Sequence, residues 1–391
     1  MERMRGFNTR AVHEGEIIDK RFGNVVTPIF QTSTFIHPND DPNAYLDSNT
    51  GKPFLYTRHG NPTVNSLEMK YASLEEAKFS ISFSSGMAAI STTLTSLIKK
   101  GDKILTINQL YGQTYRLFLD LIERYEIEVD FASINEINSL DINKDYNIIY
   151  VESITNPTLQ IVDLMELGKY CNERNIKLVV DATFASPFNQ RPLKFGADIS
   201  LHSGTKYISG HSDVVIGLVS TNNKEIHSKI FDGRKTYGGS ADPLSAYLSL
   251  RGLKTLGLRM ERHNSNAMEL AKFLSDNEKV SKVFYPGIPE FEYYDIAKKV
   301  LKGYGGMVSF EPKGGYECSK KIIKSLTLAT PAPSLGGVET LVTLPRETSH
   351  ASLSSEELKK MGIPEGLIRV SVGIEDIEDL IEDFKEALSV C

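Results

Sequence analysis

The chain has 391 residues, of which 40% are hydrophobic and 24% are charged. This composition is ordinary for a folded globular protein, and the length is sufficient for two domains. The net charge of -6 excludes a strongly cationic surface for nucleic acid or anionic membranes. No apolar run reaches the roughly 20 residues that a membrane span requires. We therefore expect a protein that binds neither nucleic acid nor membrane.

The cysteines, the histidines and the N-terminus bear on compartment and metal binding. Cys171, Cys318 and Cys391 are odd in number and far apart, which predicts no disulfide framework, and Cys171 is expected in the core. The eight histidines lack metal-ligand spacing. No apolar segment follows the first positive charges, so we expect no signal peptide. These features predict a cytoplasmic protein without a bound metal.

Residues 1–55 predict an extended N-terminal arm, because apolar positions show little periodicity and proline follows several polar residues. Such an arm must lie on its own domain or on a partner subunit. Helical periodicity begins around residues 63–71. The X-Pro pairs of the arm are Thr27-Pro28, His37-Pro38, Asp41-Pro42 and Lys52-Pro53.

From residue 79 to about 220, strand patterns alternate with helix patterns. This alternation predicts an α/β domain with a mostly parallel central sheet and helices on both faces. Several strands are continuous apolar runs, as expected for strands buried on both faces. The predicted strands are 79–83, 104–107, 127–131, 147–151, 177–180, 198–202 and 214–219, and the predicted helices are 87–98, 114–125 and 164–175.

A long helical region over 244–274 is expected to lead into a second, smaller α+β domain. Its predicted strands are 307–310, 340–344 and 368–372, and a last amphipathic helix begins near residue 375. The predicted organisation is therefore an N-terminal arm over 1–55, an α/β domain over 56–245 and an α+β domain over 246–391.

Ligands of open parallel sheets bind beyond the carboxyl ends of the strands, so polar residues at those ends are the candidates. Lys206 follows the strand 198–202, where a lysine amine can capture a carbonyl group covalently; a solvated loop lysine is the alternative. Ser85 and Gly86 open a helix directly after a strand. That arrangement predicts a phosphate site, or only a helix cap.

Three further strand ends carry candidates. Asp181 ends a buried strand, where a protonated ring nitrogen, a helix cap or an arginine ion pair would satisfy the carboxylate. Asn156 precedes a proline and directs its amide toward the crevice, or it belongs to an ordinary turn. Tyr111 can lie on a flat cofactor and act as acid or base, or it only packs. Together with Lys206, these groups match the requirements of pyridoxal 5′-phosphate.

Eight motifs occur in an order typical of one enzyme family, over 56–63, 84–88, 111–114, 181–183, 203–207, 210–213, 334–337 and 369–373. On these motifs the chain, from about Asn8 to the end, resembles the Cys/Met-metabolism family of pyridoxal-phosphate enzymes. That family includes cystathionine γ-synthase, cystathionine γ-lyase and methionine γ-lyase. The resemblance implies the fold type I architecture, with pyridoxal 5′-phosphate as cofactor and a small amino acid as substrate.

The resemblance also implies roles for individual residues. Lys206 would bind the cofactor covalently and later move protons, Asp181 would pair with the ring nitrogen, and Tyr111 would stack on the ring. Tyr56 and Arg58 would reach the cofactor of a neighbouring subunit in a homotetramer. The other implied cofactor-binding residues are Gly86, Met87, Thr183, Ser203 and Thr205, and the implied substrate-binding residues are Asn156, Ser334, Arg369 and Arg116.

The implied reaction is γ-replacement or γ-elimination on sulfur amino acids or homoserine esters in transsulfuration. Cystathionine γ-synthase or γ-lyase chemistry is expected first, with methionine γ-lyase or a homoserine-ester sulfhydrylase as alternatives. Gln113 stands where methionine γ-lyases usually carry cysteine, and Pro333 stands where cystathionine enzymes usually carry glutamate. An inactive cofactor-binding protein would require a change at Lys206, Asp181 or Arg369. A nicotinamide oxidoreductase is disfavoured because the chain lacks GxGxxG.

Overall fold

The computed structural model describes residues 4–38, 44–348, 351 and 354–391. Residues 39–43 of the predicted arm, which include Asp41-Pro42, lie outside the described residues.

The large sheet has seven strands: β1 (Phe79–Phe83), β2 (Lys103–Ile107), β3 (Glu128–Ala132), β4 (Ile148–Glu152), β5 (Lys177–Asp181), β6 (Ile199–Ser203) and β7 (Gly217–Thr221). Their order is β1-β7-β6-β5-β4-β2-β3. All neighbouring pairs are parallel except those made by β7, which is antiparallel to β1 and β6. Strands β4 and β5 are almost wholly apolar and buried, as expected for the middle of a sheet covered on both faces. The predicted α/β class is confirmed.

Helices cover this sheet, and two of them position the site described below. Helix α3 begins where the Ser85 hydroxyl accepts the Ala88 N–H at 3.0 Å. Helix α4 begins directly after Tyr111. The helices in this part of the chain are α1 (Phe7–His13), α2 (Pro62–Glu75), α3 (Gly86–Leu97), α4 (Gly112–Tyr125), α5 (Ile134–Ser139), α6 (Leu164–Arg174), α7 (Ser186–Asn189) and α8 (Lys224–Tyr237).

The predicted helical region over 244–274 is two helices, α9 (Pro243–Leu253) and α10 (Leu256–Ser275). Thr255 leaves the helical conformation, with ψ near 5°. The break frees the Gly252 carbonyl, which accepts hydrogen bonds from Arg259 Nη2 at 2.8 Å and from the Thr255 N–H at 3.2 Å. Satisfying that carbonyl makes the interruption tolerable in a buried region.

The second sheet contains β8 (Val280–Phe284), β9 (Met307–Pro312), β10 (Thr330–Pro331), β11 (Leu341–Thr343) and β12 (Ile368–Ser371), in the order β10-β11-β12-β9-β8. It is antiparallel except for the β10–β11 pair. The sequence predicted β9, β11 and β12 but not β8 or β10. The helices here are α11 (Tyr294–Val300), α12 (Gly315–Ser325), α13 (Ser355–Lys360) and α14 (Ile377–Ser389). The domain boundaries after residues 55 and 245 stay a prediction.

The N-terminal arm differs from the prediction at one point. Residues 7–13 form α1 rather than extended chain, because Ala11 is buried where α1 contacts α2 and α10. Beyond α1, the described residues of the arm contain no helix, and isolated bridges join Thr34 to Tyr56 and Leu46 to Pro53.

The expectation that the cysteines form no disulfide is wrong for one pair. Cys318 in α12 and Cys391 are disulfide-bonded, with Cα atoms 5.8 Å apart across 73 residues of sequence. The two residues meet because α12 packs against α14, which spacing along the chain does not reveal. Cys171 is a buried free thiol, as predicted. Within the described ranges, no helix combines the length and the apolar content needed to cross a membrane.

Candidate active site

A cavity of about 610 Å³ opens at the carboxyl ends of β4, β5 and β6. One wall comes from the large sheet and carries Asp181, Ser203 and Lys206. The opposite wall belongs to the second sheet and carries Ser334 and Arg369. The structure therefore brings residues from distant parts of the sequence to the edge of the sheet that the sequence predicted.

Lys206 lies in the turn that follows β6. Its Nζ donates a hydrogen bond to Ser334 Oγ at 2.7 Å, across the cavity. Burial, and then the positive charge of Arg369, lower the pKa of the Lys206 amine to about 8. An amine with this pKa is neutral in a useful fraction of molecules at neutral pH, so it can act as a nucleophile or a base.

Tyr207, the residue after Lys206, is held by α10 and by the residue that precedes β9. Arg259 of α10 donates through Nη1 to the Tyr207 carbonyl at 2.7 Å. The Gly306 N–H, just before β9, donates to the Tyr207 hydroxyl at 3.2 Å. The Tyr207 ring also meets the His263 ring edge-on, with centroids 5.2 Å apart. These contacts hold the turn that carries Lys206 in place.

Asp181 ends β5 on the floor of the cavity. Its Oδ1 accepts the Thr183 N–H at 2.9 Å and the Thr183 hydroxyl at 2.5 Å. The same threonine oxygen accepts the Ser203 N–H at 2.8 Å, which ties β5 to β6. Burial raises the pKa of Asp181, while the two Thr183 bonds and then the charge of His202 act in the opposite direction. The carboxylate is thus fixed in place and directed into the cavity.

The start of α3 lines the cavity beside Ser203. Because Ser85 and the first turn use the N–H groups of Ala88 and Ala89, those of Gly86 and Met87 have no partner within the helix. A Cβ at Gly86 would lie 2.9 Å from Ser203 Cβ, so glycine is required for this close approach. Open N–H groups and the positive end of the helix dipole favour a phosphate here.

Arg369 of β12 lies on the second-sheet wall of the cavity. Its Nη1 donates to Asn156 Oδ1 at 2.9 Å, and its Nη2 donates to the Ser334 carbonyl at 3.0 Å. Its Nε is buried without a protein partner. Burial lowers the pKa of the guanidinium to about 10. A planar guanidinium with a free buried donor is suited to bind a carboxylate.

The remaining predicted residues divide into two groups. Tyr111 lines the cavity and is 44% exposed. Tyr56, Arg58 and Arg116 are not among the described residues that line the cavity. Arg58 bonds to the Lys235 carbonyl, and Arg116 lies exposed on α4. Their functional roles stay predictions.

Sequence reasoning missed Glu152, the last residue of β4. It lines the cavity, and its Oε1 accepts the Tyr111 N–H at 2.6 Å. It also stands in direct register with Asp181 on the neighbouring strand. A carboxylate at the end of a predicted strand could have marked Glu152 as a candidate. Its position beside Asp181 depends on the order of the strands in the sheet, which the sequence does not predict.

These residues fit pyridoxal 5′-phosphate, the cofactor expected from the sequence. Asp181 makes no ion pair with another described residue, so its charge is available to a cationic ring nitrogen. The open N–H groups at the start of α3 suit the phosphate, and the Lys206 amine suits the aldehyde. The Arg369 Nε, which is buried without a protein partner, is available to donate a hydrogen bond to the carboxylate of an amino acid.

Comparison with known proteins gives consistent matches over nearly the full chain. A family profile described as "Cys/Met metabolism PLP-dependent enzyme" matches residues 8–389. The chain is 41% identical to a cystathionine gamma-lyase of Dictyostelium discoideum, over 98% of this chain and 97% of that protein. It is 42% identical to an L-methionine gamma-lyase of Fusobacterium nucleatum subsp. polymorphum, over 98% of both chains. A solved cystathionine gamma synthase of Xanthomonas oryzae pv. oryzae superposes with a TM-score of 0.91 at 35% identity, covering 98% of both chains.

Proposed function

The chain belongs to the Cys/Met metabolism PLP-dependent enzymes, and from that premise we propose that it catalyses γ-elimination or γ-replacement on sulfur amino acids or homoserine esters. Cystathionine γ-synthase or γ-lyase chemistry is proposed first. The observation that carries the proposal is that Lys206 lines the same cavity as Asp181 on its own wall and Arg369 on the opposite wall. It puts an amine of lowered pKa beside both a cofactor site and a carboxylate site.

Pyridoxal 5′-phosphate, when bound, withdraws electrons from the α-carbon of an attached amino acid. Lys206, Asp181, Thr183 and the start of α3 would hold it. Asp181 keeps a negative charge for the ring nitrogen, and its two bonds to Thr183 prevent it from turning away. Tyr111 covers the cavity side, and its hydroxyl is available as an acid or base.

Arg369 would orient the substrate. A carboxylate bound to its free Nε places the α-carbon on the Lys206 side, because Ser334 bonds to both the lysine amine and the guanidinium. Lys206 would then accept the proton from the α-carbon, give it up to the bound cofactor, and so be neutral again to accept a proton from the β-carbon, which lets the γ-substituent leave with its bonding electrons. The lowered pKa of the amine, about 8, suits repeated proton transfer near neutral pH.

The first test is whether Lys206 carries the cofactor. The purified protein is expected to be yellow, and borohydride reduction followed by peptide mapping should place the cofactor on Lys206 rather than on another lysine. Lys254, whose amine pairs with Glu16, is the internal control in the same digest. A colourless protein that cannot be reconstituted would contradict the proposal.

The choice of reaction is tested on a panel of substrates: cystathionine, methionine, and O-acetyl-, O-succinyl- and O-phosphohomoserine, each with and without cysteine or sulfide. Release of 2-oxobutanoate from cystathionine indicates γ-elimination, whereas pyruvate indicates cleavage at the β-carbon. Formation of cystathionine from a homoserine ester indicates γ-replacement. Methionine cleavage is the second candidate, because the Fusobacterium relative carries that name at 42% identity.

We also propose a homotetramer in which Tyr56 and Arg58 complete the site of a neighbouring subunit. The arm over 1–55, which directly precedes them, exposes large apolar side chains, with Phe22 81%, Val25 85% and Ile36 94% exposed. Several large apolar side chains this exposed within one segment support an interface there.

Mixing two variants tests the shared site. In Arg58→Ala/Lys206→Ala hybrids, one of the sites would combine an intact Lys206 with an intact Arg58 from the other subunit. We therefore expect two variants of low activity to regain activity when they are dissociated and reassembled together. Mixtures that stay as inactive as the parents, despite hybrid formation in native mass spectrometry, would contradict shared sites.

The cytoplasmic location is a further proposal, and the Cys318–Cys391 bond weighs against it because disulfides are uncommon in reducing compartments. Cell fractionation combined with thiol counting on the recovered protein tests both points. Cytoplasmic recovery with free Cys318 and Cys391 thiols would support the location and show that the bond is not kept there.

A further inference from the structure

Two carboxyl groups end adjacent strands at the floor of the cavity. Glu152 of β4 and Asp181 of β5 are register partners in a parallel pair. Register partners direct their side chains to the same face of the sheet, and both residues line the same cavity. Sequence reasoning and the proposed mechanism give Asp181 a role and leave Glu152 without one.

The surroundings of the two carboxyl groups differ. Asp181 accepts two hydrogen bonds from Thr183 and has His202 of β6 as a source of positive charge on its other side. Glu152 accepts one N–H, from Tyr111 at 2.6 Å. None of the ion pairs formed by the described residues includes Glu152, which is only 6% exposed.

Two neighbouring carboxylates in a buried site do not both ionise readily, and the one with weaker support keeps the proton. Burial, and then the charge of Asp181, raise the pKa of Glu152 well above its ordinary range. The other titratable groups near the pair are Tyr71 on α2, Tyr150 on β4, His202 on β6 with its ion-pair partner Glu75 and, across the cavity, Lys206 and Arg369. Among the described groups, His202 is the one whose positive charge acts on the pair, and it acts on Asp181 rather than on Glu152. With two hydrogen bonds from Thr183 as well, Asp181 is the better supported carboxylate, so the proton belongs on Glu152.

We propose that Glu152 is a positioning residue that stays protonated, leaves Asp181 as the charged partner for the cofactor ring, and fixes Tyr111 over the cavity through its main-chain N–H. The neutral carboxyl adds no second negative charge beside Asp181. One of its oxygens holds Tyr111 at the start of α4, and its O–H is available as a donor to the cavity. This inference rests on the proposed function only in naming the cofactor as the ligand.

The test compares Glu152→Gln with Glu152→Ala in the holoenzyme. Glutamine is neutral and keeps an oxygen that accepts the Tyr111 N–H, whereas alanine removes the acceptor. We expect cofactor affinity, measured by dialysis and absorbance, to fall about tenfold in Glu152→Ala and to be rescued to within about threefold in Glu152→Gln, as the loss of one buried hydrogen bond implies. Glu173→Gln, an exposed change on α6, is the matched control.

Difference infrared spectroscopy reads the proton directly. Subtraction of the Glu152→Gln spectrum from the unmodified spectrum should reveal a protonated-carboxyl band, and subtraction of the Glu173→Gln spectrum should not. Absence of that band, or equal cofactor affinity of the glutamine and alanine variants, overturns the proposal. If Glu152→Ala does not fold, the infrared result on Glu152→Gln still decides. A protein that binds no cofactor contradicts the proposed function instead, while the infrared band continues to report on Glu152.

Discussion

The two walls of the cavity differ in how their polar groups are satisfied. On the large-sheet wall, Asp181, Thr183 and Ser203 bond to one another and leave little freedom to any of them. On the second-sheet wall, Arg369 uses two of its nitrogens on protein groups and leaves its buried Nε unpaired. The side chains of the first wall are thus held by one another, while its open N–H groups at the start of α3 remain free for a ligand. On the second wall, the arginine side chain itself keeps a free donor.

This difference separates two functions. A wall whose groups brace one another suits a resident cofactor, which needs the same geometry in every turnover. A wall with a spare donor suits a substrate that enters and leaves. Changes on the first wall should therefore remove the cofactor, while changes on the second should leave the cofactor bound and weaken the substrate.

The largest effect is expected for Asp181→Asn. Without a charged partner for the ring nitrogen, cofactor affinity should fall about 10²- to 10³-fold, the range for breaking a buried ion pair. Equilibrium dialysis against pyridoxal 5′-phosphate measures the loss. Asp198→Asn is the matched control, because Asp198 precedes β6 at the opposite end of the sheet and bonds to the Leu178 N–H. Equal losses in the two variants would show that the effect is not local to the cavity.

Arg369→Lys should leave the cofactor absorbance intact and raise KM about 10²-fold, because lysine keeps the charge but loses the paired planar donors. Steady-state kinetics and the visible spectrum of the same sample separate the two effects. Arg346→Lys, at an ion pair with Glu365 outside the cavity, should change neither. Loss of cofactor from Arg369→Lys would contradict the assignment of the cofactor to the first wall and of the substrate to the second.

The second-sheet wall should influence the first through Arg369, whose positive charge contributes to the lowered pKa of Lys206. Only the neutral amine reacts, so the rate at which cofactor-free protein takes up pyridoxal 5′-phosphate should rise with pH and level off above about 8. Since Arg369 contributes to lowering that pKa, Arg369→Gln should move the midpoint to higher pH. Arg369→Lys keeps the positive charge and should leave the midpoint in place. An unchanged midpoint in Arg369→Gln would show that burial alone sets the pKa.

The smallest effect is expected for Pro333→Glu, which alters substrate choice without touching the cofactor wall. A carboxylate at this position, next to Ser334 on the cavity lining, should favour a substrate with a distal ammonium group. We expect the ratio of kcat/KM for cystathionine over methionine to rise about tenfold, in the range of one added polar contact. Pro331→Glu, two residues away on β10, is the control, and the same rise there would assign the effect to general surface charge.

The cofactor wall could be predicted from the sequence because each of its residues follows a strand that the apolar pattern makes visible. Predicting Lys206 and Asp181 required only the rule that the carboxyl ends of parallel strands meet at one edge of the sheet. Predicting that Glu152 lies beside Asp181 required knowing that β4 and β5 are neighbours in the sheet, which no local sequence pattern indicates. The Cys318–Cys391 bond and the break before α10 likewise depend on helices that meet only in the folded chain.

The residues behind Lys206 have a consequence for how the protein matures. Tyr207 accepts a bond from Arg259 of α10 and another from Gly306 before β9, so the lysine turn is completed only when both sheets have docked. We expect the nascent chain to acquire its cofactor as one of its last maturation events. During refolding, the absorbance of the bound cofactor should then lag behind the recovery of the helical circular dichroism signal. The yellow colour would therefore indicate that the chain has completed its fold.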